Sequence, residues 1–310
     1  MIMNFKIKGI IFSVLIFFSY VLEGFAQQDP NYTQYMYNTM TINPAYVGST
    51  DYLNITADYK AQLTGIDGAP ETNNVGIESP VTYNVGLGLN ITRDVLGPIE
   101  DLKVDGNFSY SLQVGVDTYL SFGLKAGFRV LNVDFTKGIY ENPNDPAFMN
   151  NIDNQFLGVL GAGTYLYTDK WYLGLSTPNF FSQEYFNEED TRVETEEMSI
   201  FLIGGYIFDI GSRTKFKPAA LFDYVQGAPL RTNLSANFLL YERLTLGLAY
   251  SMDASVGALA GFQISDSVFI GYAYEYNTSD FNQYNDGSHE LLIKFSLARK
   301  RGATYSPRFF

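Results

Sequence analysis

The sequence predicts an all-β chain: a transmembrane antiparallel up-and-down β-barrel of about fourteen strands, with a short periplasmic N-terminal arm and C-terminal tail. Three observations predict it. First, Tyr83 to Thr92, spelled Y-N-V-G-L-G-L-N-I-T, alternates without a break. Tyr83, Val85, Leu87, Leu89 and Ile91 share one face, and Asn84, Gly86, Gly88, Asn90 and Thr92 the other, which is a strand with one apolar and one polar side. Second, that length is close to the roughly 9–11 residues a tilted strand needs to cross a bilayer, and similar alternation recurs to residue 297. Third, the joints between such stretches are alternately short and long, as in bacterial outer-membrane barrels.

Composition narrows the function. The chain has 310 residues, 16% of them aromatic, no Cys and one His. The lack of Cys excludes disulfides, thiolate metal sites and Cys nucleophiles. A net charge of -13 argues against nucleic acid, because phosphate binding needs clustered Lys and Arg. No cofactor or metal is implied.

Residues 1–26 have the form of a secretory signal peptide. Lys6 and Lys8 precede the apolar run Ile10–Tyr20, and Gly24-Phe25-Ala26 places small residues before a cut at Gln27. Residues 27–50 alternate poorly and carry Pro30, Pro44 and four Tyr. They are predicted to be an arm that packs at the periplasmic end of the barrel or inside it. The barrel is assigned to residues 51–298 and the periplasmic tail to 299–310.

Fourteen strands are predicted, near 52–63, 72–79, 83–92, 99–114, 119–135, 155–167, 171–177, 196–209, 214–224, 231–240, 244–252, 256–264, 268–277 and 289–297. Joints after even-numbered strands are short. Joints after odd-numbered strands include the long ones near 136–154, 178–195 and 278–287. Long loops face outward in such barrels, so both termini are expected in the periplasm. Tyr165, Tyr167, Trp171, Tyr172, Tyr272 and Tyr276 lie near strand ends, where aromatic girdles are expected. Parity points Asp58, Lys60, Lys125, Arg129, Lys215, Lys217, Asp223, Glu275, Glu290 and Lys294 into the lumen. The mixed signs fit networks that brace the barrel, including against the arm, better than a charge-selective constriction.

No catalytic set emerges. His289 has no G-x-S-x-G elbow to serve and is expected at an interface or facing a loop. Gly158, Gly161 and Gly163 lack the Lys-Ser/Thr of a phosphate loop, so they are expected to relieve crowding. Glu184, Glu188, Glu189, Asp190, Glu194, Glu196 and Glu197 form an acidic outer loop, read as solvated or as a calcium or partner site. Asn142-Pro143-Asn144-Asp145-Pro146 has turn chemistry. Arg299-Lys300-Arg301 starts a basic tail, whose Phe309-Phe310 end suits docking as well as solvation.

Four motifs carry a family resemblance. The run D-P-N-Y-T-Q-Y-M-Y-N followed by N-P-A-Y-V-G-S resembles the opening of the PorP/SprF family, outer-membrane proteins of the type IX secretion and gliding system of Bacteroidetes. Residues 65–72 resemble its G-x-D-G-A-P-x-T loop, 94–98 its D-x-x-G-P turn, and 306–310 its S-P-R-Y-F ending, with Phe309 in place of Tyr. The resemblance singles out Asp29, Pro30, Tyr32, Gln34, Tyr35, Asn43, Pro44, Gly48, Gly68, Ala69, Pro70, Pro307, Arg308 and Phe309 as candidate motif and partner-contact residues. It implies a non-enzymatic component that supports secretion or surface attachment of a cargo protein with a type IX C-terminal signal domain. Periplasmic machinery and outer-membrane lipid are its other expected partners. The competing reading is a diffusion channel for a small or apolar solute, and the two differ in whether residues 27–50 occupy the lumen.

Overall fold

A computed structural model describes residues 32–138, 151–181, 183–186 and 192–298. Among them the wall has fourteen antiparallel strands. These are β1 (Tyr52–Ala61), β2 (Glu71–Pro80), β3 (Val85–Leu96), β4 (Ile99–Gln113), β5 (Tyr119–Val133), β6 (Ile152–Tyr167) and β7 (Trp171–Thr177). They continue as β8 (Ser199–Tyr206 with Phe208–Gly211), β9 (Thr214–Val225), β10 (Arg231–Leu240), β11 (Leu244–Ser251), β12 (Ser255–Ser265), β13 (Val268–Asn277) and β14 (Ser288–Ala298). Each pairs with its sequence neighbours, and β14 pairs with β1 from Ala298↔Tyr52 to His289↔Ala61, which closes the barrel. A separate hairpin, Gln183–Phe186 with Arg192–Glu196, stands where the sequence suggested an irregular loop.

The wall is inverted relative to a soluble protein. Leu89 on β3 is 46% exposed, while its neighbour Asn90 is 2% exposed. Leu87, Ile91, Phe108, Leu124, Leu248 and Ile293 join the exposed apolar belt. Their outward position suits a lipid environment, where every backbone group must be paired and only closed barrels or helices satisfy that. No helix among the described residues is long and apolar enough to cross a membrane.

Short turns at 81–84, 114–118, 168–170, 212–213, 241–243 and 266–267 form one rim. The opposite rim holds the longer connections, together with tight joints at Gly97-Pro98 and 252–254. Its loops latch to one another. Gly97 N–H donates to Gly68 O at 2.9 Å, Asp134 N–H to Pro98 O at 2.9 Å, Thr64 N–H to Gly287 O at 2.8 Å and Asp286 N–H to Thr64 O at 2.7 Å. Thr136 closes the next turn by donating its hydroxyl to Asp134 at 2.6 Å, a bond that holds the Asp134 carboxyl below its usual range.

Three expectations are corrected. Tyr83 lies in the turn before β3, 86% exposed, and the strand instead runs on to Leu96. The eighth strand is interrupted at Ile207. Pairing with β9 stops at Gly205↔Ala219 and resumes at Phe208↔Phe216. Between them stands Pro218, which has no N–H to give the ladder. Tyr165, Tyr167 and Tyr172 are buried inside the barrel rather than in a girdle, because they alternate with the outward Thr164, Leu166 and Leu173 and meet the arm. Tyr272 and Tyr276 do face outward.

Candidate functional site

The site is the lumen and what fills it. Residues 32–50 carry no strand. They fold as turns and two short 3-10 helices, Thr39–Thr41 and Pro44–Tyr46. Pro44 suits the first position of its helix, where a missing N–H costs nothing, and the Asn43 side chain caps the turn by accepting the Ala45 N–H at 2.9 Å. Apart from half-buried Thr41 and Gly48, every residue from Tyr32 to Thr50 is buried. The main apolar core of the protein is this arm against the inner wall. Tyr35, Met36, Tyr37, Met40, Ala45, Tyr46 and Val47 pack on Tyr165, Tyr172, Phe201, Ile203, Leu221 and Leu292.

Charged ends of wall side chains hold the arm's backbone. Glu290, 1% exposed, accepts the N–H groups of Thr33 at 2.7 Å and Gln34 at 2.9 Å. Lys60 Nζ lies 2.9 Å from Glu275, 3.6 Å from Glu290 and 3.2 Å from the Thr33 hydroxyl. Lys294 donates to Tyr37 O at 3.3 Å and Lys125 to Thr41 O at 3.0 Å. Ser176 donates to Ile42 O at 2.7 Å, and Ser109 to Val47 O. Lys217 sits over the Tyr37 and Tyr172 rings, 6.0 and 5.5 Å from their centres. Burial of so many charges is tolerable only with partners of this kind. Among the described residues neither Asp58 carboxylate oxygen finds a hydrogen-bond partner, and the nearby Lys60 supplies its opposite charge. The expected inward set is therefore inside, with Lys215 half-buried.

Glycines make room where the arm touches the wall. A Cβ on Gly123 would meet the backbone of Pro44 and Ala45, and one on Gly86 would meet Val47 O. Gly163 lies against the Asn43 side chain and Gly161 against the Pro178 backbone, as expected of crowded positions, whereas a Cβ on Gly158 would meet nothing within 4 Å. Above the arm, toward the long-loop rim, a cavity of about 70 Å³ remains, bounded by Tyr32, Thr41, Asp94, Lys103, Asp105 and Phe201.

The motif residues divide into two groups. Tyr32, Gln34, Tyr35, Asn43, Pro44 and Gly48 belong to the buried arm. The Tyr35 hydroxyl lies 3.3 Å from Ser235, and Asn43 donates to Thr164 O at 3.0 Å. Gly48 turns the chain toward β1 with φ +73. Gly68, Ala69 and Pro70 lie at the long-loop rim, where Gly68, φ +74, meets Gly97. Asp29, Pro30, Pro307, Arg308 and Phe309 lie outside the described residues, as do Asn142–Pro146 and the acidic-loop residues Glu188, Glu189 and Asp190, while Glu184, Glu194 and Glu196 lie on the separate hairpin. His289 is half-buried on the outer face, its Nδ1 2.6 Å from the Tyr272 hydroxyl. Sequence reasoning missed the glycines under the arm and Asn74, whose Oδ1 accepts from Asn38 at 2.8 Å. Their only signal was an inward parity.

The sequence matches the family profile described as Type IX secretion system membrane protein PorP/SprF over residues 24–295. The chain belongs to the PorP/SprF family. It is thus a membrane protein of a secretion family with an outer-membrane-type barrel, which points to a structural or secretion component. No curated protein shows a significant match. Among solved structures it is similar to Omp33 of Acinetobacter baumannii, at 7% identity over 80% of this chain and 98% of that one, TM-score 0.46. It is also similar to the toluene transporter TodX of P. putida, at 11% identity over 85% and 94%, TM-score 0.47. A Pseudomonas aeruginosa FadL homologue matches at 13% identity over 86% and 94%, TM-score 0.47. These likenesses carry no functional argument.

Proposed function

We propose that the protein is a non-enzymatic outer-membrane component of the type IX secretion and gliding system of a Bacteroidetes bacterium, supporting secretion or surface attachment of a cargo protein with a type IX C-terminal signal domain. Membership of the PorP/SprF family over residues 24–295 carries this reading. The signal peptide is removed after Ala26 on export. The short-turn rim, where β1 begins and β14 ends, faces the periplasm with the basic tail and meets periplasmic machinery there. The long-loop rim, with Gly68, Ala69, Pro70 and the acidic loop, faces the cargo. The motif residues of the arm act indirectly, by seating it. A resident filler in the lumen favours this reading over an open diffusion channel.

Affinity purification of a tagged copy from detergent-solubilised outer membranes, with mass spectrometry of what it retains, tests this reading. The expected result is one large surface protein, periplasmic type IX components, or both. Recovery of the barrel alone, under conditions that keep other outer-membrane complexes together, would overturn it.

A further inference from the structure

We propose that the arm is the gate of a latent water-filled passage for hydrophilic solutes. The wall does not need the arm to be complete. Every strand is paired on both sides and β14 closes on β1, while the arm adds no strand to the sheet. The wall behind the arm has the chemistry of a hydrated lining over much of its circumference. β1 and β2 present Thr56, Asp58, Lys60, Thr72 and Asn74; β3 to β5 present Asn90, Asp105, Asn107, Ser109 and Lys125; β10 presents Asn233, Ser235 and Asn237. Part of this lining bonds within the wall and not to the arm: Asn107 donates to Asp105, Asn237 to Ser235 and Ser251 to Asn233.

The arm's polar attachments are of a kind that water can replace, and its apolar contacts with Phe201, Ile203, Leu221 and Leu292 set the cost of opening. Its backbone is held by the ends of Glu290, Lys294, Lys125, Ser109 and Ser176, not by a ladder or a covalent bond. Its fixed end lies at the short-turn rim, where Gly48, at φ +73, precedes the joint to β1. Swinging about that joint would draw the arm out toward the short-turn side and leave the strands in place. Both signs of charge line the path, so the passage would admit polar solutes with little preference between anions and cations, and would not suit apolar ones.

The test uses the full-length protein in planar bilayers. Glu290→Ala with Lys294→Met removes three of the arm's holds, and the absence of native Cys allows a lock. Cysteines replacing Asn38 and Asn74, whose side chains touch at 2.8 Å, would tie the arm to β2 when oxidised. Heat-resistant mobility on unboiled gels establishes folding for each form, and a non-reducing shift establishes the lock. The unlatched variant is expected to show at least a tenfold greater open fraction than the parent. Adding the oxidised cysteine pair should silence it, and reductant should restore it. A folded unlatched variant that passes no current, or current that persists with the lock formed, would overturn the proposal.

Discussion

Replacing Glu290 by alanine should loosen the arm by at least about 3 kcal/mol. The carboxylate is 1% exposed and takes two backbone N–H groups, at 2.7 and 2.9 Å. Hydrogen bonds to a charged group are each worth about 1.5–3 kcal/mol, so together they give about 3–6 kcal/mol. Removing the charge also loses the Lys60 ammonium at 3.6 Å and relieves repulsion from the Asp58 and Glu275 carboxylates, and these two effects oppose one another. The low end of the range, about 3 kcal/mol, is thus the minimum expected. At about 1.4 kcal/mol per tenfold change, the population of unseated arm should rise by at least about two orders of magnitude. Chymotrypsin reads this directly, because the arm carries Tyr32, Tyr35, Tyr37 and Tyr46 and no Lys or Arg. When closing is fast, cleavage tracks the open population, so the cut within residues 32–46 should be at least about 100-fold faster in the variant while the barrel stays folded. Glu290→Gln keeps one acceptor oxygen and should recover much of the loss. An unchanged cleavage rate in a folded Glu290→Ala barrel would refute the clamp.

Other substitutions separate the wall from its filler. Gly123→Val should displace the second 3-10 helix, whose backbone meets any Cβ there; faster chymotrypsin cleavage in a barrel that still folds is the expected result. Pro218→Val should restore the ladder between β8 and β9 at Tyr206 and stabilise the barrel by about 1 kcal/mol, read as a higher urea midpoint. Leu89→Lys places a charge on the outward face near mid-strand and should cost about 2–4 kcal/mol in lipid vesicles, with far less effect in a test of arm cleavage.

The wall was legible because alternation reports directly on a two-faced strand. Leu87, Leu89 and Ile91 against Asn90 and Thr92 can be read only one way, and the fourteen strands follow. Local exceptions escaped that signal. Pro218 sits within a good alternating run, and its effect appears on the neighbouring strand. Tyr165 and Tyr172 looked like girdle residues because their strands end nearby, yet parity turns them inward. The lumen was half legible. Parity assigned Lys60, Lys125, Glu290 and Lys294 to the inside, but nothing in their spacing said that they hold the backbone of a segment up to 257 residues away. The arm itself has no periodicity to read, since its shape is set by the cavity around it.

Hydrogen exchange of the arm amides, followed by mass spectrometry on the protein in lipid nanodiscs, tests the filled lumen most directly. The Thr33, Gln34 and Ala45 N–H groups each have a buried acceptor, so fragments spanning residues 32–46 should be protected to nearly the same degree as β1 and β14. Exchange of those fragments at the rate of an unstructured peptide, beside fully protected strands, would show an empty barrel and contradict the account.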